Sequence, residues 1–378
     1  MGKMRVEFGD LKLGEEAKNN LMDVVKESWA SAGPKVKEFE EKWGKLFGYK
    51  HSIAMASGTA ADTAACMALF DFGAKRGDEV IVPALAFAAA GNSILAAGLT
   101  PVFVDIKRET LNIDESKIEE KITPRTRAIM VVHTMGKPCK MDKIMDIAKR
   151  HNLKVIEDSC ESHGAKYNGK FVGNWGDMAA FSYYIAHLVC CGEGGMVSTN
   201  DDKIADVLKS VKSHGRRNGD IYFDHVRPGI NGKMNDLEAS IGLPEIGKFW
   251  QTFNGRRINL FYLLNKVKDL QKFAYFNSEG EGEVVCPHAF SVTLKDPRYN
   301  CKELYAFLER NGIKCKRNFG SMPTQHEVFA FMGHKLGEFP EAEYVGENGL
   351  HFGIHQFLTV EDLDFISEKM HEYFARFD

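Results

Sequence analysis

Residues 175–200, WGDMAAFSYYIAHLVCCGEGGMVSTN, set one histidine between two short apolar runs. The run 178–182 reads as a buried strand that delivers Ser182 to its carboxyl end. Gly192, Gly194 and Gly195 then form a flexible crossing before a second strand at 196–199, so residues 183–195 are a loop held between neighbouring strands. That loop carries His187. By residue type alone His187 reads as a hydrogen-bonded structural histidine, and only its surroundings can give it a role. Loops at the carboxyl ends of strands are where α/β proteins keep their chemistry.

Working outward, residues 13–29 and 34–47 have helical periodicity, the second opening with Pro34 in the first turn after Gly33. A strand at 51–55 stops at Ala56-Ser57-Gly58-Thr59, and a helix of small residues follows from 59 to 72, closed by Gly73. Apolar runs at 79–82, 101–105, 128–133 and 154–158 alternate with helical stretches at 87–97, 115–121 and 142–151. This rhythm predicts a mostly parallel sheet with helices on both faces. A long helical segment runs from 235 to about 269, interrupted near 247–251. Beyond it the mixed signals, with helices at 301–311 and 359–376, predict a smaller α+β domain. The expected division is 1–245 for the large α/β domain with its N-terminal helical segment, and 246–378 for the connecting helix and small domain.

The composition excludes several classes of function. A formal charge of −3 over 378 residues offers no basic excess for nucleic acid or an anionic membrane. The most apolar window, 83–104, is broken by Gly91, Asn92, Gly98 and Pro101, which suits a strand, helix and strand better than a membrane span. The amino terminus lacks the apolar core of a signal peptide, so a cytoplasmic protein is expected. Eight cysteines occur without C-x-C or C-x-x-C spacing, which argues against a disulfide framework or a metal centre. The adjacent Cys190 and Cys191 read as small buried side chains.

Three other positions fall at the sheet edge that holds the His187 loop. Ser57-Gly58-Thr59 lies between a strand and a helix start, where hydroxyls cap the helix and free N–H groups favour an anion. Asp158 closes an apolar strand, and a carboxylate buried there needs a cation or a hydrogen-bond donor; a protonated pyridine nitrogen would serve. Phe87 follows another strand and could lay a flat face on a heteroaromatic ring. Taken singly these are an N-cap, a turn aspartate and a core phenylalanine. Together they describe a phosphate nest, a ring-nitrogen partner and a ring platform beside a base.

These segments, with Glu157-Asp158, His163-Gly164-Ala165, Phe181-Ser182, Gly192 to Gly195, Asn231 and Met234-Asn235-Asp236, resemble the DegT/DnrJ/EryC1/StrS family of nucleotide-sugar aminotransferases. The likeness runs from about Leu13 to the last helix. It implies the aspartate-aminotransferase-like fold, type I of the pyridoxal-phosphate enzymes. It also implies that Ser57, Gly58, Thr59 and Ser182 hold the cofactor phosphate, Phe87 stacks on the ring and Asp158 pairs with the ring nitrogen. Asn231 would reach the phosphate from the neighbouring subunit, making the site the property of a homodimer.

One position departs from the pattern. The family's aminotransferases place a lysine six residues after the phenylalanine of Phe181-Ser182; here that residue is His187, and no lysine occurs between Lys170 and Lys203. An imidazole cannot condense with the cofactor aldehyde, yet it can move a proton near neutral pH. The exchange resembles a small dehydratase subgroup of the family, active in colitose biosynthesis. It implies a noncovalently held pyridoxal 5′-phosphate/pyridoxamine 5′-phosphate cofactor and glutamate as amine donor. The expected reaction is loss of the C3 hydroxyl from a nucleotide-linked 4-keto-6-deoxyhexose with release of ammonia.

His187 is the acid/base of this reading. Glu161, standing where glutamine is usual in the family, is expected to orient His187 or handle the departing hydroxyl. A reductive, iron–sulfur version would need a C-x-C pair that this chain lacks. His214-Gly215, Arg216, Arg217, Arg317 to Gly320 and His355-Gln356 are candidate substrate contacts. An aminotransferase that has lost its lysine, and a noncatalytic binding protein on the same scaffold, remain the alternatives.

Overall fold

The structure, a computed structural model, describes residues 4–9, 11–219 and 221–377. Helices α1 (Glu15–Glu27) and α2 (Pro34–Phe47) lead into strand β1 (His51–Met55), which stops where α3 (Gly58–Ala68) begins. Next come β2 (Glu79–Pro83), α4 (Ala89–Ala97), β3 (Thr100–Val104), β4 (Thr126–Val132), α5 (Met141–Arg150) and β5 (Lys154–Asp158). A short hairpin, β6 (Lys166–Tyr167) and β7 (Lys170–Phe171), precedes β8 (Met178–Ser182) and β9 (Gly195–Thr199).

The large sheet has the order β1-β9-β8-β5-β4-β2-β3. Pairs from β8 through β3 are parallel, and only β9 runs against its neighbours. Both faces are covered. Along β4, Ala128, Met130 and Val132 join the cluster that contains α3 and α4, while Ile129 and Val131 join Ile144 and Ile147 of α5. A strand buried on two sides must be apolar at successive positions, which is why these runs stood out in the sequence.

Helix α6 (Asp202–Val211) returns across the sheet, and α7 (Asp236–Gly247) and α8 (Phe249–Lys266) follow. The segment expected to be helical from 235 to 269 is thus two helices broken at Lys248, whose backbone leaves the helical region. Two further expectations differ. Residues 115–121 form two single 3-10 turns, because the Asp114 carboxylate caps the first turn and competes with a continued helix. The helix expected over 59–72 ends at Ala68 and tightens to a 3-10 turn before Gly73, which adopts φ 96.

The second sheet, β10 (Ala274–Phe276), β12 (Ala289–Leu294), β14 (Gly349–Gly353) and β13 (Cys315–Arg317), is antiparallel throughout; β11 (Glu283–Val284) instead pairs with β6. Its core includes residues of α9 (Cys301–Arg310) and α12 (Val360–Phe374), together with Val6 from the chain start. Between them lie α10 (Met322–Gln325) and α11 (Pro340–Asn348). Among the described residues no helix is long and apolar enough to cross a membrane. Fold class therefore follows the sequence reading: an α/β unit with a mostly parallel sheet plus a smaller α+β portion.

Candidate active site

The parallel strands end at one edge, where a cavity of about 540 Å³ opens toward β13 and the loop after it. Ser57, extended at φ −165, caps α3 by accepting the Ala60 N–H at 3.1 Å. The N–H groups of Gly58 and Thr59 lie in the helix's first turn, where no intrahelical acceptor exists. A side chain at Gly58 would fall 2.6 Å from the Ser182 Cβ, so glycine is what lets the helix start approach the end of β8. Ser57, Gly58, Thr59 and Ser182 all line the cavity. The result is a pocket of hydroxyls and first-turn amides suited to a phosphate.

Asp158, the last residue of β5, is 7% exposed and accepts the Cys160 N–H at 3.1 Å. Facing it from α3 is Asp62, 1% exposed, whose Oδ1 has no partner. Carboxylate oxygens of the two, with the Cys160 Sγ, lie within 4.8 Å of one another. Burial raises both carboxyls above their ordinary range, and the charge of Asp158 raises Asp62 further. Burial beside the same two acids pushes the Cys160 thiol up, so it stays neutral. Two buried carboxyls with one orphaned oxygen call for a cation between or beside them, and a protonated ring nitrogen fits that demand.

Phe87 lines the same cavity with its ring 65% exposed, touching Phe319 edge-on at 5.9 Å. An aromatic face left open at the mouth of an apolar pocket is a ready platform for a flat ring.

His187 sits in the loop expected for it. Its N–H donates to the Tyr184 carbonyl at 2.9 Å. From α8 the Arg256 guanidinium, 3% exposed, donates to the carbonyls of Ala186 and His187 at 3.2 and 3.4 Å, and to the Gln356 side chain at 2.8 Å. Arginine thus fixes the backbone that carries the imidazole. The ring lies 5.8 Å from that of His163 and 5.1 Å from that of His288, and its Nδ1 is buried without a partner.

Burial first, then the charges of Arg256 and Lys316, push His187 down to about 3. The ring is therefore a neutral base across the physiological range. This differs from the titration near pH 7 expected from residue type, because the sequence does not display the loop's burial.

Glu161 follows β5 into the pocket, where its Oε2 accepts the Met135 N–H at 2.6 Å and its Oε1 lies 3.6 Å from the His288 Nε2. Burial, and less strongly the charge of Asp158, raises its carboxyl to about 7. Near neutral pH it can therefore give or take a proton.

Other expected residues divide. Arg317, Asn318, Phe319 and Gly320 line the cavity. His214, Arg216, Arg217 and His355 do not; Arg217 pairs with Asp224 at 3.0 Å, and Arg216 lies over the Phe223 ring. Gln356 turns out to hold Arg256 rather than line the cavity. Asn231 is exposed and bridges to Ser213, outside its own chain's cavity. Cys190 and Cys191 are free thiols and buried.

Asp62, His288, Lys316 and His351 were not anticipated and all line the cavity. Only Asp62 left a local trace, since it stands one helical turn after Gly58 and shares its face.

The DegT/DnrJ/EryC1/StrS aminotransferase family model matches residues 11–371. GDP-perosamine synthase of Caulobacter vibrioides is 40% identical over 372 residues, covering 95% of this chain and 96% of its own. GDP-4-keto-6-deoxy-D-mannose 3-dehydratase of Escherichia coli O55:H7 is 31% identical, over 93% of this chain and 95% of its own. A solved structure of the E. coli GDP-4-keto-6-deoxy-D-mannose 3-dehydratase with bound hydrated PLP superimposes with a TM-score of 0.89 at 28% identity. It covers 97% of this chain and all of its own. The family match and these likenesses over nearly the whole chain show that it belongs to the DegT/DnrJ/EryC1/StrS aminotransferase family, whose cofactor is pyridoxal 5′-phosphate.

Proposed function

We propose that the protein is a 3-dehydratase of a nucleotide-linked 4-keto-6-deoxyhexose, using glutamate as amine donor and releasing ammonia. The observation that carries the proposal is His187, a neutral imidazole in the cavity at the position where the family's aminotransferases present an amine. When bound, the cofactor supplies an amino group acquired from glutamate and a ring that withdraws electrons from the carbon beside it.

The residues around it take the following parts. Ser57, Gly58, Thr59 and Ser182 would hold the phosphate, and Phe87 would cover one ring face. Asp158, with Asp62 beside it, would pair with the ring nitrogen and favour its protonated form. His187 would be the base that takes a proton from the carbon beside the ring. Glu161 in its acid form protonates the C3 hydroxyl, which leaves as water. Lacking an amine at position 187, the chain offers no covalent hold there, so these residues would hold the cofactor by noncovalent contacts alone. Asn231 would meet the phosphate of a second copy, which makes a homodimer the working unit.

A second reading, transamination to an amino sugar, draws on two observations. Lys316 lines the same cavity, exposed at its edge, with its ammonium lowered by partial desolvation there. The similarity to GDP-perosamine synthase is also higher than that to the dehydratase. Incubation with pyridoxal 5′-phosphate, glutamate and GDP- or dTDP-linked 4-keto-6-deoxy sugars separates the two. Dehydration gives ammonia and a sugar lacking one oxygen, whereas transamination gives a stable amino sugar.

A further inference from the structure

His288 reaches the cavity from the smaller sheet, one residue before β12 begins. It is 5% exposed, and its backbone N–H donates to the Cys286 carbonyl at 2.8 Å, while the Cys286 N–H donates to Gly136 at 3.0 Å. The imidazole is therefore tied through the chain to the Thr134–Gly136 turn. That same turn presents the Met135 N–H to Glu161, and its geometry is constrained: Met135 adopts φ 54, its carbonyl accepts from the Asn277 amide at 2.7 Å, and the Thr134 N–H is held by Asn112 at 3.0 Å. Met135 fixes one carboxyl oxygen of Glu161; the other has His288 as its polar neighbour, at 3.6 Å. On its other side the His288 ring stands 5.1 Å from that of His187, and its own Nδ1 is buried without a partner.

We propose that His288 is a positioning residue that aims the Glu161 carboxyl at the reacting face of the pocket and joins it to His187. The proposal rests on the dehydratase reading above. With Nε2–H toward Glu161, the imidazole favours the carboxylate left after Glu161 gives its proton to the departing hydroxyl. The proton His187 has taken then has an acceptor in Glu161 once water has left, so the acid is restored for the next turnover. Protons balance: one C–H bond and one C–O bond break, and one O–H bond forms in the departing water.

Other charged and titratable groups act on this ensemble. Lys316 and Asp158 act on Glu161, and Arg256, His163 and His351 act on His288. Each is untouched in the variants that test it.

The test compares His288→Phe, which keeps a flat ring, with His288→Gln, which keeps a donor near the Nε2 position. Infrared difference spectra of protein labelled with ¹³C-glutamate, referenced to Glu161→Gln, report the Glu161 carboxyl without cofactor or substrate. Loss of the donor should raise the Glu161 midpoint by about one pH unit in His288→Phe and leave it near the parent value in His288→Gln. In turnover, kcat should fall about tenfold in His288→Phe with KM for the sugar nucleotide within about twofold, and recover in His288→Gln. Equal Glu161 titrations in the two variants would overturn the positioning role. Because that spectrum needs no turnover, it decides the matter even if the parent protein fails to dehydrate any sugar, an outcome that would instead overturn the dehydratase reading.

Discussion

Replacing Asp62 by asparagine removes one of two buried carboxyls without changing the shape of the site. With oxygens no more than 4.8 Å apart, two full charges at an effective dielectric constant of about 20 repel by at least about 3.5 kcal/mol. Partial protonation lowers the working figure to about 1–3 kcal/mol. Both carboxyls are raised in the folded state, so their linkage favours folding at low pH. That contribution is complete below the unfolded carboxylate value near 4 and is lost as pH rises through the raised folded values. The cofactor-free Asp62→Asn protein should therefore melt about 1–4 °C above the parent at pH 7, for a chain of this length, and show a smaller gain at pH 5. On the proposed reading the same change should weaken pyridoxal 5′-phosphate binding, because it removes an ionisable carboxyl from beside Asp158, the group that would face the ring nitrogen. Thermal melts at both pH values and a fluorescence titration with the cofactor measure these effects. An unchanged melting temperature together with unchanged cofactor affinity would refute the view that the pair is built around a cation.

Three other perturbations probe the site. Glu161, raised to about 7, must be protonated to act as an acid, so kcat should decline above about pH 7; Glu161→Gln should remove that limb and cost about a hundredfold in kcat, read from pH–rate profiles. His187→Lys should give a cofactor linkage that borohydride traps, visible by mass spectrometry, while dehydration falls sharply; full retention of dehydration would take His187 out of the chemistry. Gly58→Ala places a methyl 2.6 Å from Ser182, so the phosphate nest must open and cofactor affinity should fall at least about tenfold, with about 1–3 kcal/mol of overpacking strain behind it.

Much of the large sheet was legible because its strands are buried on both faces and bounded by turn residues. Residues 51–55, 154–158 and 178–182 coincide with β1, β5 and β8. Polar residues at strand ends then named Asp158 and Ser182, since a polar group closing an apolar run must meet something at the sheet edge. Residues 115–121 misled because their spacing is helical while the Asp114 carboxylate satisfies the turn locally.

His288 and Lys316 were invisible for another reason. They reach the pocket from a second sheet, more than a hundred residues away in sequence, by tertiary packing that no local pattern encodes. Arg256 was hidden in the same way, on a helix whose contact with the His187 loop is made only in the folded chain. The direction of the His187 shift followed it, since it depends on burial against these groups.

The central claim, that an imidazole in place of an amine turns this pocket to dehydration, is tested most directly by product stoichiometry. The purified protein, loaded with pyridoxal 5′-phosphate and given glutamate and a nucleotide-linked 4-keto-6-deoxyhexose, should release one ammonia and one 2-oxoglutarate for each sugar that loses its C3 oxygen. An amino sugar formed mole for mole with 2-oxoglutarate, and no free ammonia, would contradict it.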